Sequence, residues 1–317
     1  MRPPAKFQGF IGQAKIVRHL RRQLAGAQVL IQPMPHLLLC GASGSGKTTL
    51  AEALAAEYGS KCVRVLGKAQ PKHVVQQLPT LAKGDFLFLD EAHRLPRDSQ
   101  ELLYQVVDEC RCPDLLEPGH TISKDTDGRL ILPPITIILA TDQPGELLHA
   151  LKQRVEITAT ITDYSLPELR EIAASIATDL RVLLTAQAVG TIARVAQGTP
   201  RRVRHLVTQL RRHYAGMREA LGVDEIRQYL HQAGVCRRTG IDRQQRQYLR
   251  QLGKRGRAAI ETLARLMGVD ADYIRDQIEP GLLRLDLLEI GRTGRALTQA
   301  GQLWYDASQR RKESSPR

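Results

Sequence analysis

Residues 41–48 read Gly41-Ala42-Ser43-Gly44-Ser45-Gly46-Lys47-Thr48, with the spacing G-x-x-x-x-G-K-[ST]. What flanks this octet limits the fold more than its letters do. His36-Leu37-Leu38-Leu39-Cys40 before it is a short apolar run, as a buried parallel strand has. Thr49-Leu50-Ala51-Glu52-Ala53-Leu54-Ala55-Ala56-Glu57 after it is rich in helix formers. Strand, glycine loop and helix in that order form a phosphate-binding turn. The glycines let backbone N–H groups converge on phosphate oxygens, and the helix N-terminus adds partial positive charge. Gly44, Ser45, Gly46, Lys47, Thr48 and Thr49 are therefore the expected nucleotide contacts. Lys47 would reach the β- and γ-phosphates, and Thr48 would hold Mg2+.

A second motif fits the first. Phe86-Leu87-Phe88-Leu89-Asp90-Glu91 is an apolar run that ends in two acids. A buried strand would deliver both carboxylates to the sheet edge beside the glycine loop. Asp90 is expected to bind the metal through water, and Glu91 to orient the attacking water. Water positioning and charge neutralisation are nearly all that phosphoryl transfer to water requires. Ile135-Thr136-Ile137-Ile138-Leu139-Ala140 is a further buried strand. It ends at Thr141, a polar residue placed to sense the γ-phosphate.

The rest of the chain divides by pattern. Residues 14–27 read as a helix leading to the first strand, and residues 62–66 as another strand. Residues 72–81 and 99–110 read as helices. Residues 111–134, rich in Pro, Gly and Asp, read as an inserted hairpin. Residues 148–154 are expected to form a short helix and 155–160 a last strand. From 162 the pattern turns helical, with helices expected at 165–177, 185–196, 201–214 and 224–231. Pro200 suits a first helical turn. Residues 242–252, 257–266 and 271–284 read as three more helices, the last interrupted near Pro280. A strand–Gly–strand hairpin over 287–298 follows. Three helices and a hairpin make a winged helix, with Arg292 and Arg295 on the wing as candidate DNA contacts. Residues 310–317 read as a disordered basic tail. The expected architecture is an α/β parallel-sheet domain (1–162), an all-α lid (163–237) and a winged helix (238–317).

Charge names the class of partner. The 317-residue chain carries a net charge of +13. Residues 181–218 hold eight Arg and no acid, and residues 238–317 hold 16 Lys and Arg against 10 acids. Clustering of this kind favours nucleic acid over a merely soluble surface. Apolar content of 42% supports a real core, which one Trp and four Phe make mainly aliphatic. No apolar run reaches the length of a membrane span, and residues 1–13 lack the apolar segment of a signal peptide. The five scattered cysteines suit reduced thiols in the cytoplasm better than a zinc site.

With these motifs in place, the chain resembles the RuvB-type Holliday-junction branch-migration motors, which are AAA+ ATPases. The likeness runs over residues 2–305. Arg2-Pro3 and Phe10-Ile11-Gly12-Gln13 resemble the family's adenine-pocket segment, and Tyr164 its adenine-contacting tyrosine. Asp90-Glu91-Ala92-His93-Arg94-Leu95 is similar to its Walker B signature, and Ala140-Thr141 to its sensor 1. Leu151-Lys152-Gln153-Arg154 resembles the segment ending in its arginine finger. Gly198-Thr199-Pro200-Arg201 resembles sensor 2. Glu279-Pro280 and Gly294-Arg295 match pairs in its winged helix. The resemblance implies ATP and Mg2+ as cofactors, a hexameric homo-oligomeric ring on duplex or branched DNA, and no membrane. It implies Arg154 as a finger into the neighbour's site, and Pro200 and Arg201 beside the nucleotide of the same subunit. The departures are specific. The family's RuvA-docking hairpin has an apolar tip, whereas this chain carries the longer Cys112-Pro113-Asp114-Leu115-Leu116-Glu117-Pro118-Gly119-His120. Lys152, Val155-Glu156 and Asp142 also differ from the family's residues. They imply a divergent member with a changed partner or DNA target.

Three other classes were weighed. Asp90-Glu91-Ala92-His93 spells the box of a two-domain helicase superfamily, but no second α/β domain follows residue 162. An ATP-switched loader on DNA would keep the same site without translocating. A transcription regulator would bind one operator, whereas a motor binds DNA of any sequence with steep salt dependence.

Overall fold

Residues 37–40 are apolar and every one is buried, so this strand needs neighbours on both sides. The computed structural model describes residues 6–117 and 122–313. Two compact units emerge, Met1–Thr162 and Asp163–Arg317.

In the first unit, helix α1 (Ala14–Val29) leads to strand β1 (Leu37–Cys40), and helix α2 (Lys47–Tyr58) follows the glycine loop. Strand β2 (Cys62–Leu66), helix α3 (Pro71–Val75), strand β3 (Phe86–Asp90) and helix α4 (Arg97–Glu109) come next. The short strands β4 (Arg111–Cys112) and β5 (Leu130–Ile131) form the inserted antiparallel hairpin. Strand β6 (Thr136–Thr141), helix α5 (His149–Gln153) and strand β7 (Ile157–Thr160) complete the unit. The five long strands form a parallel sheet in the order β2-β3-β6-β1-β7. From β1 the chain crosses to the far edge and fills inward, and β7 then closes the other side. That reversal opens a crevice at the carboxyl end of β1, where open α/β sheets bind ligands.

His36 ties the sheet together at the other end of β1. Its Nδ1 accepts the Ile137 N–H at 3.0 Å, and its backbone N–H donates to Glu156 Oε2 at 2.8 Å. Burial lowers its pKa below the ordinary 6.5, against the opposing pull of Glu156 and Asp108.

The second unit begins with four helices: α6 (Leu166–Asp179), α7 (Ala186–Val195), α8 (Pro200–His213) and α9 (Val223–Gln232). Ser165 and Glu168 form a capping box on α6, and Thr185 caps α7. Helix α10 (Arg243–Arg255) carries a second capping box, Asp242 with Gln245. Strand β8 (Arg257–Ala258) and helix α11 (Ile260–Met267) follow. Residues 257 and 258, which the periodicity assigns to a helix, are thus a third strand of the wing. They pair with the hairpin of β9 (Leu288–Gly291) and β10 (Gly294–Leu297).

Between α11 and β9 lie α12 (Ala271–Tyr273), a π turn (Ile274–Ile278) and α13 (Glu279–Arg284). Pro280 has no N–H to offer the carbonyl four residues back, and the helix widens just before it. Glu279 N–H bonds Ile274 O instead, a five-residue step. A polar tail expected over 310–317 is corrected at its start: helix α14 (Gln299–Glu313) runs through residue 313. Its first turns are anchored. Trp304 packs on the core, and a Cβ on Gly253 would stand 2.4 Å from the Tyr305 ring. An anchored helix then propagates through residues of good propensity at little cost.

Glu279 is the buried charge of this unit, with 1% of its surface exposed. It accepts from Tyr248 Oη at 2.6 Å and from Arg295 Nε at 2.9 Å. Burial, then the Glu279 charge, raises the Tyr248 phenol far above its usual pKa, so Tyr248 stays a donor. Removing one partner strands the other charge in the interior. Arg295→Ala is expected to destabilise the winged helix by about 3 kcal/mol or more, read as its thermal unfolding, with Glu279→Gln restoring part of the loss. His36 gives a pH dependence. The unfolded chain binds the proton more tightly than the folded one, so the contribution is present above about pH 6.5 and lost on acidification. Unfolding midpoints between pH 7.5 and 5 should fall, and His36→Asn should flatten the fall.

Candidate nucleotide site and nucleic-acid interface

The glycine loop takes the backbone its sequence demands. Gly41, Gly44 and Gly46 have φ of +153°, +78° and +101°. At Gly41 even a methyl group would stand 2.9 Å from Ile161 O, so the residue is also required by close approach. Lys47 opens α2, and its Nζ donates to Gly41 O at 2.7 Å and Ala42 O at 3.1 Å. The ammonium is thus held folded over the loop that phosphates would enter. Ser45 is buried in the loop, and Thr48 and Thr49 lie in the first turn of α2.

Thr48 Oγ1 donates to Asp90 Oδ2 at 3.4 Å. The two predicted metal ligands therefore meet at the carboxyl ends of β1 and β3. Arg64 of β2 is also ion-paired to Asp90. Sequence reasoning passed over Arg64. The signal available was a cation in an otherwise apolar strand, next to the strand that ends in Asp90. Glu91 follows in a left-handed conformation, φ +52°, and pairs with Arg94 at 3.2 Å. Its turn presses on the β2–α3 loop, where a Cβ on Gly67 would come within 2.1 Å of Glu91 O.

Thr141 ends β6, which lies between β3 and β1. Its Oγ1 accepts the Gln143 N–H at 2.9 Å and stands 3.0 Å from His93 Nδ1. Asp142 Oδ1 lies 3.5 Å from the same nitrogen. His93, which the sequence marks only as a polar neighbour of the site, therefore links the turn after β3 to Thr141 at the end of β6. Phe10 and Ile11 follow a short turn that packs on α2. Gln13 holds that segment through Thr162, donating to its O at 2.8 Å and accepting its N–H at 3.2 Å. Arg2 lies outside the described residues.

Arg154 caps α5 and folds back on its own unit. Its Nε meets Asp108 Oδ2 at 2.5 Å, and its guanidinium lies 4.8 Å from the Tyr104 ring centre. In the second unit, Tyr164 N–H bonds Gly198 O at 3.5 Å, which brings the tyrosine beside the loop before Pro200 and Arg201. Tyr164 is buried, and burial pushes its phenol up to about 12. Pro200 is the first residue of α8, and Arg201 is exposed beside it. The wing separates its two arginines. Arg292 is exposed in the β9–β10 turn. Arg295 pairs with Glu279 with its side chain 15% exposed, so it also braces the wing from within.

The profile of the Holliday junction DNA helicase RuvB P-loop domain matches residues 1–161. That of the RuvB C-terminal winged helix domain matches residues 238–305. The chain belongs to the RuvB family. It is 32% identical over 312 residues to the Holliday junction branch migration complex subunit RuvB of Synechococcus sp. (strain RCC307), covering 96% of this chain and 89% of that one. The corresponding RuvB subunit of Oenococcus oeni is 32% identical over 304 residues, covering 94% and 88%. Among solved structures, the Thermotoga maritima RuvB Holliday junction branch migration motor superposes with a TM-score of 0.82. It shares 27% identity and 99% of each chain is covered. RuvB membership carries an N-terminal AAA+ parallel-sheet domain, a helical lid and a C-terminal winged helix. It also carries ATP binding and ATPase chemistry in general. Among the described residues no helix is long and apolar enough to cross a membrane.

His93→Ala removes the contact to Thr141 without touching the phosphate loop. A lost hydrogen bond of about 1 kcal/mol should slow turnover roughly fivefold while nucleotide affinity holds. Steady-state ATPase rates beside equilibrium nucleotide titration would check this.

Proposed function

We propose that the chain is a DNA-dependent ATPase that assembles as a hexameric ring and drives Holliday-junction branch migration. The observation that carries the proposal is the meeting of Lys47, Thr48 and Asp90 at one sheet edge of a chain that also bears a winged helix. Relatives built in the same order are named as branch-migration subunits. Its parts are an ATPase domain over 1–162, a lid over 163–237 and a DNA-binding domain over 238–317.

Lys47 and the loop amides from Gly44 to Thr49 would hold the phosphates. Thr48 and Asp90 offer hard oxygen donors side by side, as Mg2+ requires, and that ion would neutralise phosphate charge when bound. Glu91 orients the attacking water once Arg94 lets go of it, and Thr141 senses the γ-phosphate. By resemblance, Arg2, Phe10, Ile11 and Tyr164 are the residues assigned to the base. Pro200 places Arg201 to report the nucleotide to the lid. Arg154 serves the neighbouring subunit, exchanging Asp108 for phosphate, and such fingers are worth about 10³–10⁵ in rate. On DNA, Arg292 of the wing meets phosphate.

The partner is changed. Leu115, Leu116 and Ile122 of the inserted segment pack against the core of their own unit. Arg111–Asp125, Lys124–Asp114 and Arg129–Glu109 ion pairs hold the strands around them. By sequence, Glu117-Pro118-Gly119-His120-Thr121 in this segment has no large apolar side chain, and capture of a RuvA protein through residues 111–134 would overturn the reading of a changed partner.

Mixing experiments test the shared site. Lys47→Ala and Arg154→Ala should each abolish turnover, the latter with ATP binding intact, and mixtures should recover part of it. No recovery at any ratio would exclude an inter-subunit finger. Glu91→Gln should bind ATP and stall. Junction DNA with ATP should yield migrated products, whereas DNA-stimulated ATPase without migration would leave a loader in place of the motor.

A further inference from the structure

Helix-turn-helix proteins read base edges with the last helix of the motif. In this chain that helix is the α12–α13 segment, and its charge is wrong for the task. Asp270 and Asp272 are exposed, and Asp276 is half-exposed. Of the segment's two cations, Arg275 is taken by Asp272 at 2.5 Å and Arg284 by Asp163 at 2.8 Å. Glu279 is buried and holds Arg295. A duplex brought to this surface would meet more negative than positive charge.

The positive charge of the domain stands at the corner where α10 turns into β8. The chain there reads Lys254-Arg255-Gly256-Arg257. Lys254 and Arg255 are exposed and make no ion pair with any described residue. Gly256 turns the chain with φ +73°, and a Cβ on it would meet no atom within 4 Å, so the corner is open. Arg257 lies on β8, beside β10, and its guanidinium bonds Thr293 Oγ1 in the wing turn while facing Glu289 at 3.8 Å. Arg292, the neighbour of Thr293, is exposed and likewise unpaired among the described residues. Basic residues at a helix C-terminus complement its dipole. That accounts for Lys254 and Arg255, but not for an open corner continued across the sheet to Arg257 and Arg292. The hairpin separates corner from wing tip by about four strand residues, roughly 13 Å at ~3.3 Å each, a span of several phosphates along a strand.

We infer that the cationic corner of Lys254, Arg255 and Arg257 is a second phosphate grip on duplex DNA, continuous with the wing turn. Lys254, Arg255, Arg257 and Arg292 are the contact residues. Binding is then indifferent to sequence, because phosphates carry no base information. The inference rests on the DNA-motor proposal and names the surface that it uses.

Salt titration of duplex binding by the full chain tests it. Each phosphate contact contributes about 0.9 to the slope of log K against log[salt]. The double variant K254A/R255A should lower that slope by about 2, with an unchanged thermal unfolding midpoint. R275A on the third helix should leave the slope as it is, and unrelated duplex sequences should bind equally. An unchanged slope in K254A/R255A, or a slope lost in R275A instead, would overturn the inference and leave the DNA motor standing. The first result would pass the corner to an acidic protein partner. Failure of the wild-type chain to bind duplex at any salt would remove both.

Discussion

Parallel pairing of β1 with β6 on one side and β7 on the other is what the nucleotide site depends on. It aligns Cys40 with Thr141 and Thr160, so the loop after β1 and the polar end of β6 emerge at one level of the sheet. β3 pairs with β6 in the same direction and brings Asp90 to that level. None of these residues is close in the chain. The packing tolerance is small: Gly41 runs so near Ile161 O that a side chain would part the loop from β7. A substitution that shifted β1 by one residue would turn Leu38 and Cys40 to the wrong face and carry the loop with them.

Each of the charges Lys47, Asp90, Glu91 and Arg154 has a partner within its own unit. Lys47 rests on loop carbonyls, Asp90 on Arg64, Glu91 on Arg94 and Arg154 on Asp108. Nucleotide binding on this scheme exchanges partners instead of creating new ones. The net gain per exchange is small, because a bonded donor or acceptor is lost for each one won. It also makes each step conditional. On the proposed finger role, Arg154 would reach a neighbour only once Asp108 released it, and its partly exposed pair, weak in water, is suited to release.

Much of this was legible in the chain. Glycines at fixed offsets between an apolar run and helix formers admit one local fold, and acids at the end of a second apolar run add a register. The brace beneath Arg295 was not legible, for a physical reason. Composition reports that the wing is basic, but which face of a two-stranded hairpin an arginine takes depends on what lies beneath it. Here that is Glu279, 16 residues away in sequence. Arg64 and His93 were missed on similar grounds, since each acts through a neighbouring strand. The end of α14 was misjudged because its polar letters say nothing of the Trp304 and Tyr305 anchors a turn earlier.

The wing domain shows how a fold can be kept while its use shifts. Tyr248, Glu279 and Arg295 form a closed polar triad inside it, and Pro280 forces the π turn that brings Glu279 inward. Residues so fixed cannot drift without loss of the domain. The exposed positions around them have no such tie. Lys254, Arg255 and Arg292 are exposed, and so are Asp270 and Asp272 of the third helix. Selection on DNA contact can therefore move charge from one face of the domain to another at almost no cost in stability. On the proposed motor role, passage along any sequence would gain from that freedom, because a grip on phosphates holds equally well after each base-pair step.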